Sequence, residues 1–140
     1  MAIWFKEVTL DDLNRFGKNS MSEFLGIQFI EIGDNFLKAS MPVTERTKQP
    51  FGLLHGGANV VLAETIASTA ANGVIDSKKF YCVGLEINAN HLRAVTKGIV
   101  TAKASPIHIG RTTQVWEVDI FNEEGKKTCV SRMTAAVVGR

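Results

Sequence analysis

The stretch from Gln49 to Ile75 constrains this chain most, because Glu64 is its only formally charged residue. Its other residues are mainly apolar, small or glycine, a composition typical of a segment inside a folded protein. A buried carboxylate without a partner is costly, so Glu64 needs a reason to be there. It either does chemistry, or it reaches solvent at an interface, or it accepts a structural hydrogen bond.

The middle of this stretch predicts a long helix. It runs from His55 to about Ala71 and is rich in Ala, Leu and Val, with Asn72-Gly73 as its stop signal. Its apolar residues lie on most faces, so other structure should cover it.

The remaining segments predict a short helical start followed by strands. Thr9 and Asp12 have the spacing of a capping box, which begins a helix ending near Gly17. Alternation and turn residues give the strands. The predicted elements are helices to about residue 16 and over 21–25, strands over 26–31 and 36–42, the long helix, and strands over 80–90, 98–104, 113–121 and 127–138. This order indicates an α+β fold with the helix packed on an antiparallel sheet.

Two strands show clear alternation. In the last but one, Gln114, Trp116, Val118 and Ile120 share a face. In the strand over 80–90, one face is expected to carry Tyr81, Val83, Leu85, Ile87 and Ala89.

Length and composition narrow the class of protein. The 140 residues fit one domain, and the formal net charge of +2 argues against a dedicated nucleic-acid surface. Cys82 and Cys129 have no metal-ligand neighbours and are expected to be reduced, buried thiols. The three histidines lack metal spacing, so no metal site and no cofactor are expected. The absence of a signal-peptide pattern or membrane span favours a cytoplasmic protein.

The start of the long helix is the first candidate for chemistry. Backbone N–H groups there have no partner within the helix and carry partial positive charge. Gly56 and Gly57 would let another molecule approach that backbone, which suits the oxygen of a carbonyl under attack. The alternative is a plain glycine turn before a helix.

The spacing between Gly56 and Glu64 bears on assembly. Eight residues along a helix span roughly 12 Å, so one carbonyl group cannot touch both positions on the same helix. If both serve one reaction, they come from two antiparallel helices, and a second copy of the chain is the simplest source. Ser68, one turn further, shares the face of Glu64 and could orient the carboxylate or a water.

A charge asymmetry follows later in the chain. Between Ile87 and Trp116 there is no Asp or Glu, whereas two histidines, two lysines and two arginines are present. A loop over 108–111 places a glycine beside a guanidinium, which can hold phosphates. Solvated strand ends are the alternative, above all for Lys97 and Lys103.

Three segments of the sequence together resemble hotdog-fold acyl-CoA thioesterases. They are QPFGLLHGGANVVLAETIAS, VGLEINANHLR and PIHIGRTTQVWEVDIF. The nearest subgroup acts on aromatic and related acyl-CoA thioesters, and it includes enzymes of menaquinone, enterobactin and phenylacetate metabolism. The resemblance implies a long helix wrapped by a curved antiparallel sheet, an acyl-CoA substrate, and homodimers that pair into tetramers. A non-catalytic acyl-CoA-binding protein on the same fold is the alternative.

The resemblance also implies roles for individual residues. Glu64 matches the catalytic carboxylate, acting as nucleophile or as general base on water, and the Gly56 N–H matches the group that polarises the carbonyl. Gln49, His55 and Ser68 match further active-site positions. The positions that match the CoA-binding part of the family site are Gly84, His91, Leu92, Arg93, His108, Ile109, Gly110 and Arg111.

Overall fold

The computed structural model describes all 140 residues and has three helices and six strands. The strands form one antiparallel sheet in the order β1-β2-β4-β5-β6-β3. The α+β expectation is confirmed. In chain order the elements are α1 (Leu10–Phe16), α2 (Met21–Phe24), β1 (Gln28–Ile32), β2 (Leu37–Pro42), α3 (Gly56–Gly73), β3 (Phe80–His91), β4 (Ile99–Ile109), β5 (Thr113–Phe121) and β6 (Lys127–Gly139).

Helix α1 begins as its sequence predicts. The Thr9 hydroxyl accepts from the Asp12 N–H, and the Asp12 carboxylate accepts from the Thr9 N–H, which completes the capping box. The same hydrogen bonds hold the pKa of Asp12 below its usual value. Leu13 packs against the core, whereas Phe16, three residues further along the helix, is 90% exposed.

Helix α3 lies against one face of the sheet, and alanines dominate its contact surface. Small side chains let a helix approach a sheet closely, and larger ones on the sheet then fill the core. The four alternating residues of β5, from Gln114 to Ile120, are all buried there, as predicted. The buried helix residues are Ala58, Asn59, Leu62, Ala63, Ile66, Ala67, Ala70 and Ala71.

Strand β3 departs from its predicted alternation. A β-bulge against β6, between Gly84 and Glu86, inserts one extra residue and exchanges the two faces of the strand. Ile87 and Ala89 therefore pack against the core, whereas Leu85 and the residues alternating before it point outward. The prediction of one continuous face was wrong, because the bulge is set by the pairing with β6 and not by the local sequence.

Strand β4 is longer than predicted. It continues past residue 104 to Ile109, so His108 and Ile109 lie in a strand, and the predicted loop shrinks to the turn that follows them. The predicted strand ended before Pro106, but a bulge between Pro106 and His108 accommodates the proline within β4. Strand β2 pairs with β4 only up to Ala104, so the end of β4 and its hairpin with β5 extend beyond β2.

The two edge strands, β1 and β3, differ in the hydrogen bonding of their outer edges. The Asn14 side chain donates to the Phe29 carbonyl and accepts from the Phe29 N–H, which pairs part of the β1 edge. Strand β3 pairs only with β6, and no strand lies along its other edge, where the Asn72 side chain bonds the N–H and carbonyl of Cys82 alone. No helix has the length and apolar character needed to cross a membrane.

Candidate active site

The beginning of α3 places an unpaired N–H beside an ordered histidine. His55 is the N-cap, and its Nδ1 accepts from the Gly57 N–H at 2.7 Å. The backbone N–H of His55 donates to the Thr47 carbonyl, which fixes the segment that leads into the helix. The Gly56 N–H, in contrast, donates to no protein group. It is therefore free to bind an external acceptor such as a carbonyl oxygen.

Gln49 lies in the turn that leads to this helix. The turn closes through hydrogen bonds from the Gln49 N–H to the Leu53 carbonyl and from the Gly52 N–H to the Gln49 carbonyl. The side-chain Oε1 accepts from the Phe51 N–H, so the Nε2 group keeps both of its donors for another molecule.

Glu64 is half-buried and takes part in no ion pair. Its Oε2 lies 3.1 Å from the point that a Cβ atom at position 84 would occupy. Gly84 therefore gives the carboxylate room within the same chain, a contact that the sequence did not indicate. Any larger residue at that position would force the Glu64 side chain to move.

One turn after Glu64, the helix borders a cavity. The Ser68 hydroxyl has only a weak acceptor, Met133 Sδ at 3.5 Å, and the Thr69 hydroxyl donates to the Thr65 carbonyl. These three hydroxyl residues line a cavity of about 520 Å³, a volume within the usual range for small-molecule sites. Its other walls come from α1, α2 and β1 and include Leu13, Asn14, Phe16, Gln28 and Phe29.

Apart from Gly84, the positions expected to bind CoA fall into two groups within one chain. His91 pairs with Cys129 at the start of β6, and the Arg93 guanidinium donates to the Lys127 carbonyl at 2.7 Å. Thr113, at the end of the β4–β5 hairpin, pairs instead with Ala136. Seven residues of strand separate these two places, which is roughly 23 Å. His91, Leu92 and Arg93 thus lie near the start of α3, and His108 to Arg111 lie towards its end.

The start of α3 holds a further pair that the sequence analysis overlooked. The His91 ring lies against Gly56, and its Nδ1 is 3.3 Å from Nδ2 of the buried Asn59. Asn59 is a polar residue in a helix turn otherwise made of small and apolar residues, and that contrast was the available signal.

Comparison with known proteins shows the family to which the chain belongs. The family model described as "Thioesterase superfamily" matches residues 51–129, which is more than half of its length. The chain belongs to the thioesterase superfamily. This thioesterase is an enzyme that hydrolyses thioesters, in keeping with its superfamily and with relatives named hydrolase and thioesterase, and a role limited to binding acyl-CoA is not supported.

Two relatives match along nearly the whole thioesterase. A protein named 1,4-dihydroxy-2-naphthoyl-CoA hydrolase, from Escherichia coli (strain K12), is 50% identical over 136 residues, covering 97% of this chain and 99% of that one. A protein named proofreading thioesterase EntH, from Cronobacter turicensis, is 46% identical over 138 residues, covering 98% and 99%.

A solved structure gives the fold. The crystal structure of a mutant thioesterase PA1618 from Pseudomonas aeruginosa matches with a TM-score of 0.98 and 50% identity, covering 99% of this chain and 100% of that one. The thioesterase therefore has the hotdog fold, and this expectation from the sequence is confirmed.

Proposed function

We propose that this thioesterase hydrolyses an aromatic or related acyl-CoA thioester to a free carboxylic acid and CoA, at a site built by two copies of the chain. The observation that carries the proposal is the state of two groups on α3. The Gly56 N–H and the Glu64 carboxylate both lack protein partners, yet they lie about 12 Å apart along one helix. A single thioester carbonyl reaches both only if a second helix runs antiparallel to the first.

The open edge of β3 supports such a dimer. A long unpaired edge with apolar side chains favours pairing with another chain. Along β3 these side chains are Phe80, Tyr81, Val83 and Leu85, the last of them 65% exposed. Pairing two copies of β3 about a two-fold axis sets the two α3 helices antiparallel, as the proposed site requires. Further pairing of such dimers into tetramers is part of the proposal.

The same arrangement explains the divided basic groups. The start of one α3 then lies beside Glu64, near the middle of the other α3, so His108 to Arg111 of the partner copy come to the same end of the dimer as Arg93. Together they would offer cationic and glycine-flanked positions to the phosphates of CoA. In this scheme Gly84 makes room for the carboxylate and does not contact CoA, because it faces Glu64.

The reaction follows from these positions. The thioester carbonyl oxygen accepts from the Gly56 N–H of one copy, with the Gln49 Nε2 as a second donor. Glu64 of the other copy attacks the carbonyl carbon to form an anhydride that water then hydrolyses, or it removes a proton from a water that attacks. In both cases the C–S bond breaks, CoA leaves as a thiolate that takes up a proton, and the acid is released. Each donor at the developing oxyanion contributes about 2.7–4 kcal/mol to lowering the barrier.

The cavity that Thr65, Ser68 and Thr69 of α3 line supports an aromatic acyl group. Phe16 and Phe29 offer rings for stacking, while Ser68 and Gln28 offer polar contacts for ring substituents. The name of the Escherichia coli relative specifies a dihydroxy-aromatic acyl-CoA, which agrees with a lining of mixed polarity.

The test compares Glu64→Gln with the control Glu117→Gln, which changes an exposed carboxylate on β5. CoA release is followed with a chromogenic thiol reagent, using benzoyl-CoA and hexanoyl-CoA. We expect Glu64→Gln to lose about 10²–10⁴-fold in kcat at unchanged Tm, the control to stay active, and the wild type to favour benzoyl-CoA. Full activity of Glu64→Gln would remove Glu64 from the reaction, and a preference for hexanoyl-CoA would contradict the aromatic substrate.

A further inference from the structure

Asn59 is a buried polar residue whose side-chain oxygen lacks a hydrogen bond. It is 4% exposed, and its Oδ1 is the one buried side-chain nitrogen or oxygen in the chain without a hydrogen-bond partner. Such an atom destabilises a fold, because it gives up its hydrogen bonds to water and gains none in the protein. Alanine or leucine would favour the helix more and leave no polar atom unpaired. Stability therefore does not explain the residue.

The other end of the same amide has one contact. Asn59 Nδ2 lies 3.3 Å from Nδ1 of His91, on the neighbouring strand β3. An amide nitrogen only donates, so Nδ1 is the acceptor, and in a neutral imidazole the proton then resides on Nε2. The amide thus selects one tautomer of the histidine.

The Nε2 end of the His91 ring lies against the start of α3. His91 Nε2 lies 2.8 Å from the point that a Cβ atom at Gly56 would occupy, with the two ring carbons beside it at 3.2 Å. Nε2 is therefore the ring atom nearest to Gly56, and the ring carbons at only 3.2 Å show that the face of the ring, with the Nε2–H bond in its plane, covers this glycine. Since Cβ and N of one residue are about 2.5 Å apart, Nε2 and the Gly56 nitrogen are at most about 5 Å apart. One oxygen atom at about 2.9 Å from each can accept from both.

We propose that Asn59 is a positioning residue that holds His91 as an Nε2–H donor, so that His91 and the Gly56 N–H bind the same substrate oxygen. The identity of that oxygen as the thioester carbonyl rests on the proposed function, whereas the pairing of the two side chains does not. The resemblance implied that His91 binds the CoA portion of the substrate, whereas here His91 lies at the carbonyl.

The experiment has a spectroscopic arm and a kinetic arm. Long-range ¹H–¹⁵N spectra of the uniformly labelled protein report which ring nitrogen of each histidine is protonated, and His91→Gln assigns the His91 signals. Asn59→Ala is compared with Asn72→Ala, the same change in the same helix. Asn72 is a suitable control because its amide is satisfied at both ends by the Cys82 backbone.

We expect wild-type His91 to carry its proton on Nε2, and Asn59→Ala to show a mixture of both tautomers. In Asn59→Ala, kcat should fall about 10- to 100-fold with KM changed less than threefold, at a Tm close to that of the wild type. Asn72→Ala should lower Tm, because two backbone groups of Cys82 lose partners, and leave the His91 spectrum and kcat as in the wild type. Should Asn59→Ala fail to fold, Asn59→Leu fills the same volume without a donor and gives the same comparison.

A wild-type His91 protonated on Nδ1 would overturn the proposal, as would a wild-type spectrum and kcat in the Asn59 variant. The two proposals fail separately. If Glu64→Gln is fully active, the proposed function fails while the ring spectrum still decides the pairing. If Glu64→Gln is inactive and His91 is protonated on Nδ1, only the present inference fails.

Discussion

Replacing Gly56 by proline removes one N–H group from the start of α3 and leaves the hydrogen bonds of the helix in place. The position is the first of α3, where proline is well tolerated, and the N–H has no protein acceptor to lose. His55, the residue before it, has φ −67° and ψ 132°, the extended conformation that a residue before proline prefers. The fold should therefore accept Gly56→Pro.

The contact with His91 requires a matched control. Any Cβ at position 56 lies 2.8 Å from His91 Nε2, so the ring must shift in every variant with a side chain there. Gly56→Ala causes the same shift and keeps the N–H. The ratio of kcat between the alanine and proline variants therefore isolates the N–H group.

We expect that ratio to be about 10²–10³, which corresponds to about 2.7–4 kcal/mol of transition-state stabilisation. The assay is CoA release at saturating benzoyl-CoA, with Tm measured for both variants. A proline variant within threefold of the alanine variant, at similar Tm, would refute the assignment of the Gly56 N–H to the carbonyl.

Three further predictions concern the core, the thiols and the cavity. Gln114→Leu should cost roughly 2–5 kcal/mol in urea unfolding, because it leaves Trp116 Nε1 and the Ala71 carbonyl without their buried partner; a loss under 1 kcal/mol would contradict this. Burial and the Asp119 carboxylate raise the pKa of Cys129 to about 11, so the folded state keeps this proton where the unfolded thiol, with a pKa near 9, has lost it. Stability should accordingly fall as pH rises from about 9 through 11, and Tm of the wild type should fall more steeply there than Tm of Cys129→Ala; parallel curves would count against it. Phe16→Ala should raise KM for benzoyl-CoA several-fold and leave that for hexanoyl-CoA almost unchanged, since Phe16 lines the cavity yet supports no core contact; equal effects on both substrates would remove the stacking role.

The parts of the fold that were predictable depend on local signals. The capping box of Thr9 and Asp12, the charge-poor run of α3 and the alternation of β5 each act within a few residues. The predictions that failed depend on pairing between strands. The bulge in β3 and the continuation of β4 through Pro106 are both set by a neighbouring strand, which a single segment does not reveal.

The candidate site divides in the same way. The start of α3 and the isolated carboxylate of Glu64 were visible in the sequence, because a helix start and a lone charge are local features. The room that Gly84 gives to Glu64 and the contact of Asn59 with His91 were not, because each joins α3 to β3. Likewise, His91 and His108 lie close in sequence and share a basic stretch, but antiparallel pairing places them towards opposite ends of the sheet.

The shared site can be tested most directly by co-expressing two inactive variants, Glu64→Gln and Gly56→Pro, with different tags. If each site takes its carboxylate from one copy and its N–H from the other, every mixed dimer contains one intact site. Random pairing then restores about a quarter of wild-type CoA release, and purified mixed dimers about half. Activity that stays at the level of the separate variants, in mixed dimers shown to have formed, would contradict a site built across two chains.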